Sequence, residues 1–193
     1  MKKILLLALL VVATFAANAQ FEGSKQVFES PNLKSEIAKH KIVAILPFAT
    51  RISFRKPPKD YSAEANKAQE DKLSTSIQSS LYTFLLRKAS NYSVEFQDVE
   101  RTNVLLRKAG VFDKLNEMTK DEIAKILQVD AVIGGNFETE QTRSEAGAIA
   151  TTILFGGIGS KTGTGTLTLT INDGEKGALI WRFFKSMDDN VLS

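Results

Sequence analysis

A single histidine, His40, and the complete absence of cysteine bound the chemistry open to this chain. Thiol catalysis is excluded outright. A lone imidazole is too few for a His-based metal site, and neither such a site nor a Ser-His-Asp triad is expected. His40 reads as part of the segment leading into the first buried strand. Asp98, Glu100 and Asp130 are carboxylates placed at element boundaries. Paired carboxylates do acid–base work where their surroundings push their pKa values apart. The reading preferred here gives them structural work: Asp98 caps a helix and Asp130 stands at the start of a strand. A hydrolase built on carboxylates or a Ser/Lys pair is kept as an alternative, with no catalytic residue assigned.

The glycine-rich run FGGIGSKTG (155–163) has the composition of a phosphate loop without its spacing. A phosphate loop needs Gly directly before Lys, and Ser160 intervenes. The dinucleotide pattern also fails, because its third glycine falls one place late. The run reads as a connection, and no cofactor is expected. Two other stretches are candidate contacts. Arg51, Arg55, Lys56 and Lys59 form a basic segment, either solvated or facing an anionic partner such as lipid headgroups or a cell-wall polymer. Residues 146–158 are apolar nearly all round, with Ile149, Ile153, Leu154 and Phe155 as the candidate partner or membrane contact. The stretch is too short to span a bilayer as a helix. It reads as a buried helix, or as a surface against a membrane or a second subunit.

The elements that must position these residues follow from periodicity. Ser30-Pro31 is expected to open a short helix through Ile37, with Pro at the first helical position. KIVAILPF (41–48) fits a strand buried on both faces and ending at Pro47. Residues 50–61, with Pro57 and Pro58, read as a loop. A long helix begins near Ser62, with Leu73, Ile77, Leu81, Phe84 and Leu85 as its buried stripe and Glu64, Lys67, Glu70 and Lys72 on the exposed side. Residues 91–96 read as a strand. Asp98 then caps a helix that has Val104 and Leu105 inward and ends at Gly110. Thr119 and Glu122 have the spacing of a capping box, which opens a short helix with Ile123, Ile126 and Leu127 on one face. Residues 131–137 form a further strand, in which Gly134 and Gly135 indicate a bulge or a close backbone approach. Leu167, Leu169 and Ile171 alternate with Thr166, Thr168 and Thr170. A turn at 172–177 joins them to a last strand, 178–184, as an antiparallel hairpin. The pattern predicts an α/β (α+β) fold: one mixed sheet, a long helix and shorter helices packed on it, and a closing hairpin.

Lys2 and Lys3, the apolar run from Ile4 to Val12 and the small residues Ala17 and Ala19 make the three-part pattern of a cleaved secretory signal, residues 1–19. An N-terminal extension (20–40) and a single domain (41–193) follow. Removing Lys2 and Lys3 from 25 basic residues against 22 acidic ones leaves a chain within about one charge of neutral. Nucleic acid is therefore not an expected partner. With no disulfide available outside the cytoplasm, stability must come from an apolar core.

KIVAILPF (41–48), the long helix and VEFQDVERTN (94–103) resemble the first half of the curli production assembly/transport family. DEIAKILQVDAVIG (121–134) is similar to its helix-then-strand element. Residues 167–181, with NDG at 172–174, are similar to its closing hairpin. Related folds occur in penicillin-binding-protein activator lipoproteins and in the N-terminal domain of the Tol-system propeller protein. These groups act in the Gram-negative envelope and none is an enzyme. The resemblance thus implies a non-catalytic envelope protein that binds another envelope component, expected to be a protein. A subunit of an oligomeric envelope or secretion assembly is the alternative. The chain is also similar to a group of exported Bacteroidetes-type proteins that continue into a further helix, which implies that it is cut short at Ser193. Secretion-channel members carry lipid on a Cys and insert strands into a membrane. This chain has no Cys, and residues 146–158 lack the alternation of a transmembrane strand. The expectation is a free periplasmic protein that does not span a membrane, with contact at its surface left open.

Overall fold

Period-two and period-3.6 patterns alternate along the chain, and in the computed structural model they close into one sheet with helices on both faces. The structure describes residues 25–141 and 163–187. The signal pattern (1–19), the apolar stretch with Ile149, Ile153, Leu154 and Phe155, most of the glycine run and the chain end lie outside the described residues. The elements are β1 (Lys25–Glu29), α1 (Leu33–Ile37), β2 (Ile42–Ile45), β3 (Ala49–Phe54), α2 (Ala63–Leu86), β4 (Glu95–Phe96), α3 (Val99–Lys108), α4 (Lys120–Leu127), β5 (Ala131–Gln141), β6 (Gly163–Asp173) and β7 (Leu179–Met187). Short 3-10 turns cover Ala89–Asn91 and Phe112–Glu117.

The sheet is mixed, with strand order β1-β7-β6-β5-β2-β4, and β3 lies beside β5 beyond the end of β2. β2 runs straight on into β3, and helices join β3 to β4 and β4 to β5, so that these strands run parallel; β5, β6, β7 and β1 are antiparallel. The expected fold class and closing hairpin are both present. β1 and α1, from the stretch set apart as an N-terminal extension, form the sheet's outer margin. α1 begins at Leu33, with Pro31 in the turn before it and not inside the helix.

β2 is buried on both faces, as its unbroken apolar run requires. Ala44, Leu46 and Val132 pack with Leu106, Ile123, Ala124 and Leu127 under α3 and α4. Ile45, Phe48, Ile52 and Phe137 pack with Leu73, Ile77 and Leu85 of α2. Each large side chain buried this way contributes roughly 1.5–3 kcal/mol. The caps stand where the sequence puts them. Ser62 Oγ accepts from Ala65 N (3.2 Å), and Glu122 accepts from Thr119 N (2.9 Å). Gly110 takes φ of 70° past the end of α3.

Several expectations are corrected. Residues 49–54 are a strand and not a loop. β5 runs on to Gln141, and its free edge beyond Ile133 pairs with Ala49–Phe54. The alternation of Thr50, Ile52 and Phe54 was the signal for it. Three residues of the β2–β3 run, Leu46–Phe48, stand opposite two, Gly134 and Gly135. The extra residue sits on that strand, at Pro47, while the β5–β6 register past the two glycines is unbroken. Residues 91–96 contribute only the two-residue β4, after a 3-10 turn. On α3, Thr102 and Leu106 point inward, whereas Val104 is 39% exposed.

On α2, Phe84 is 49% exposed, with the Lys88 ammonium 5.0 Å above its ring. The buried stripe instead takes in two polar residues, Ser74 and Gln78. Gln78 is fully buried because its amide is fully used: Nε2 donates to Ile45 O (2.7 Å), and it exchanges two bonds with the Asn103 amide. Glu70 also turns inward, accepting from Ile52 N at 2.8 Å, while Asn66 donates to Ile52 O at 3.1 Å. Together they close the outer edge of β3.

Candidate functional site

Asp98, Asp130 and His40 are held in structural bonds. Asp98 Oδ1 accepts from Arg101 N (3.0 Å) and caps α3. Glu100 is exposed in the first turn of the same helix, where a carboxylate suits the helix dipole. Asp130 Oδ2 accepts from Lys41 N (2.7 Å) and Ile42 N (2.9 Å), so it fixes the start of β2 against the start of β5. The Ile42 amide bond, then that of Lys41, holds the Asp130 carboxyl below its ordinary range against an opposing effect of burial.

A carboxyl depressed in the folded state stabilises most above its unfolded pKa of about 3.9. That stabilisation is lost as pH falls through the folded value. Asp130→Asn is therefore expected to unfold at lower urea concentration than wild type at pH 7, with the gap closing below about pH 4. Urea midpoints of the two proteins across that range check it, and a gap that persists in acid refutes the role.

His40 is buried and bonds through Nε2 to Asp173 Oδ1 at 3.0 Å. Asp173 Oδ2 accepts from Lys176 N (2.9 Å) within the β6–β7 turn. The imidazole thus clips the segment before β2 to the closing hairpin. Among the described residues, no group of three or more His, Asp or Glu is placed to hold a metal. The basic residues do not converge either. Arg51 stands opposite Glu138 in the β3–β5 register, and Arg55 pairs with Glu140 at 3.3 Å on the surface. Such an exposed pair is worth under about 1 kcal/mol. Lys56 and Lys59 project into solvent in the turn after β3.

What remains is a face of the sheet. Thr166, Thr168 and Thr170 lie on the side opposite α2, in register with Glu138, Asn136 and Gly134 of β5. Between this face and the 3-10 turn and first residue of α4, a cleft of about 310 Å³ opens. Its polar lining is Asn116, Lys120, Asn136, Thr168, Thr170 and Asn172, with Leu46, Pro47 and Leu179 among the apolar walls. No carboxylate lines it among the described residues. Burial pushes the Lys120 ammonium below its ordinary pKa, and it has no ion-pair partner among the described residues. The cleft therefore offers one cation together with amide and hydroxyl donors, a chemistry suited to carboxylate or carbonyl oxygens. The threonine face was legible from strict alternation. Lys120 was not, because its position at the start of α4 reads only as the residue after a cap.

The molecule is thus a mixed-sheet α/β protein with a polar, carboxylate-free cleft. No family model matches the chain, and no curated protein matches it. Several solved structures are similar to it in fold. Lipoprotein GNA1162 from Neisseria meningitidis is 11% identical with a TM-score of 0.46, covering 78% of this chain and 81% of that one. The LpoB C-terminal domain from Salmonella enterica is 12% identical with a TM-score of 0.41, covering 88% and 99%. The PelC dodecamer subunit from Paraburkholderia phytofirmans is 12% identical with a TM-score of 0.32, covering 85% and 80%. Likenesses this distant leave function to be argued from this chain's own residues.

Proposed function

We propose that this is a non-catalytic protein of the cell envelope that binds another envelope component, a protein, through the cleft between the threonine face and Lys120. The observation that carries the reading is the lining of that cleft: one half-buried cation, several neutral donors and no acid. Binding of an acidic or carbonyl-rich segment satisfies these donors; hydrolysis would need a hydroxyl bonded to a base, and no hydrogen bond joins Lys120 to Thr168 or Thr170, the hydroxyls of the lining. The engagement of Asp98, Asp130 and His40 in structural bonds also supports a binding role. The leader pattern of residues 1–19 supports export to the periplasm.

A photo-crosslinking residue at Asn136, introduced in cells, tests the reading. A discrete protein adduct is expected in the periplasmic fraction. Lys120→Glu reverses the charge of the cleft and is expected to weaken that adduct at least about tenfold, as losing a desolvated charge contact does. Unchanged thermal unfolding of the variant assigns the loss to the cleft. No adduct, or an adduct indifferent to Lys120→Glu, overturns the proposal.

A further inference from the structure

The sheet has three margins, and they are protected unequally. β4 is two residues long. The outer edge of β3 is closed at Ile52 by Glu70 and Asn66 of α2. β1 is different. It pairs with β7 on one side, every one of its residues is exposed, and no strand covers its other side among the described residues. Val27 is 51% exposed and Phe28 47%. An open edge with apolar side chains is a template for pairing with another strand.

The sequence of β1, KQVFE, specifies which strand. Ser30 N donates to Ile180 O, so the alternation of an antiparallel ladder turns the backbone groups of Phe28 and Gln26 towards β7. The groups of Lys25, Val27 and Glu29 then point outward. When a second copy of β1 is laid antiparallel about Val27, Val27 pairs with itself and Lys25 pairs with Glu29. All the outward-pointing groups then meet outward-pointing groups, and each of the two Lys25–Glu29 pairs brings opposite charges directly across the ladder. A shift of one residue breaks both matches. On the same face, Val27 lies opposite Phe183, which stacks on Trp181 at 6.2 Å. The symmetric pair would run Phe183, Val27, Val27 and Phe183 as one apolar row between its ion pairs.

From this complementarity we infer that the protein forms a two-fold dimer in which β1 of each copy extends the sheet of the other. The interface is isologous, as a closed dimer requires. Being one short strand pair, it gives a concentration-dependent dimer.

Sedimentation of the purified protein, as the cell processes it, over about a hundredfold range of concentration tests this. Wild type is expected to shift from monomer to dimer. Val27→Pro removes an outward N–H that β7 does not use, and is expected to give a monomer whose thermal unfolding matches that of wild type at concentrations where wild type is also monomeric. Lys25→Glu places like charges across the ladder and is expected to weaken the dimer about tenfold. The double variant Lys25→Glu/Glu29→Lys restores the pairs and is expected to recover it. A wild type that stays monomeric throughout overturns the inference, as does a Val27→Pro dimer or a charge swap that fails to rescue. Because β1 lies outside the Lys120 cleft, these outcomes are independent of those for the proposed function.

Discussion

Gly135→Ala is expected to destabilise the protein by at least about 3 kcal/mol, whereas Gly134→Ala, one residue earlier, is expected to cost less than about 1 kcal/mol. The two glycines face opposite sides of β5. A Cβ on Gly135 would fall against the carbonyl oxygen of Thr168 on β6, a backbone atom in the middle of the eleven-residue β5–β6 ladder. It would also come within 2.8 Å of the Phe48 ring. Neither neighbour yields easily. Thr168 is held in register on both sides, by Asn136 and by Phe184, and Phe48 is buried beneath α2. The strand would have to part from its neighbour or the ring would have to leave the core. A Cβ on Gly134 meets Leu46 Cδ1 at 3.7 Å and Thr170 Oγ1 at 4.0 Å, ordinary contact distances. Alanine there also restricts the unfolded chain, which offsets part of any cost. Denaturant midpoints of the two variants decide the matter: equal costs would mean that the tight approach of β5 to β6 and Phe48 is not what Gly135 permits.

The same pair of glycines shows how far the sequence reaches. Gly-Gly inside an apolar strand announced a close approach or a bulge, and a close approach is present at one of the two. The strand with the extra residue is β2–β3, because Pro47 has no N–H to give to the ladder. That pairing could not be read from β5 alone. Local signals held wherever the physics is local: Asp98 as a cap, Thr119 with Glu122, Gly110, the alternation of β6 and the turn into β7. The misplaced residues are those governed by distant partners. Gln78 looks like a surface residue of α2 until Ile45 O and Asn103 are brought to it by the fold. Phe84 looks like core until α2 turns Leu81 and Leu85 to the sheet and leaves the Phe84 ring half-exposed beneath Lys88. Lys120 becomes notable only because α4 ends its N-terminal turn beside a threonine face that is more than forty residues away in sequence.

Asp173→Ala is expected to cost about 2–4 kcal/mol, because it leaves a buried imidazole and a turn amide without their acceptor. From sequence, His40 reads as part of the segment leading into the first buried strand. In the fold it is buried, and its Nε2 reaches a carboxylate 133 residues further on. Asp173 uses its second oxygen to accept from Lys176 N, and its own N–H bonds to Ala178 O, so one residue ties the β6–β7 turn together and fastens it to the start of β2. Burial raises the Asp173 carboxyl, but the bonds from His40 and Lys176 outweigh it and leave the net pKa lowered. Its contribution is therefore fully present above about pH 4 and fails as acid protonates the folded form. Asp173→Asn keeps an acceptor oxygen for one of these donors and is expected to cost less than Asp173→Ala. If the two residues act as a clip, His40→Ala and the double variant will show coupling of about 1–3 kcal/mol in a mutant cycle. Additive losses would mean that the two side chains are buried side by side without holding the hairpin to β2.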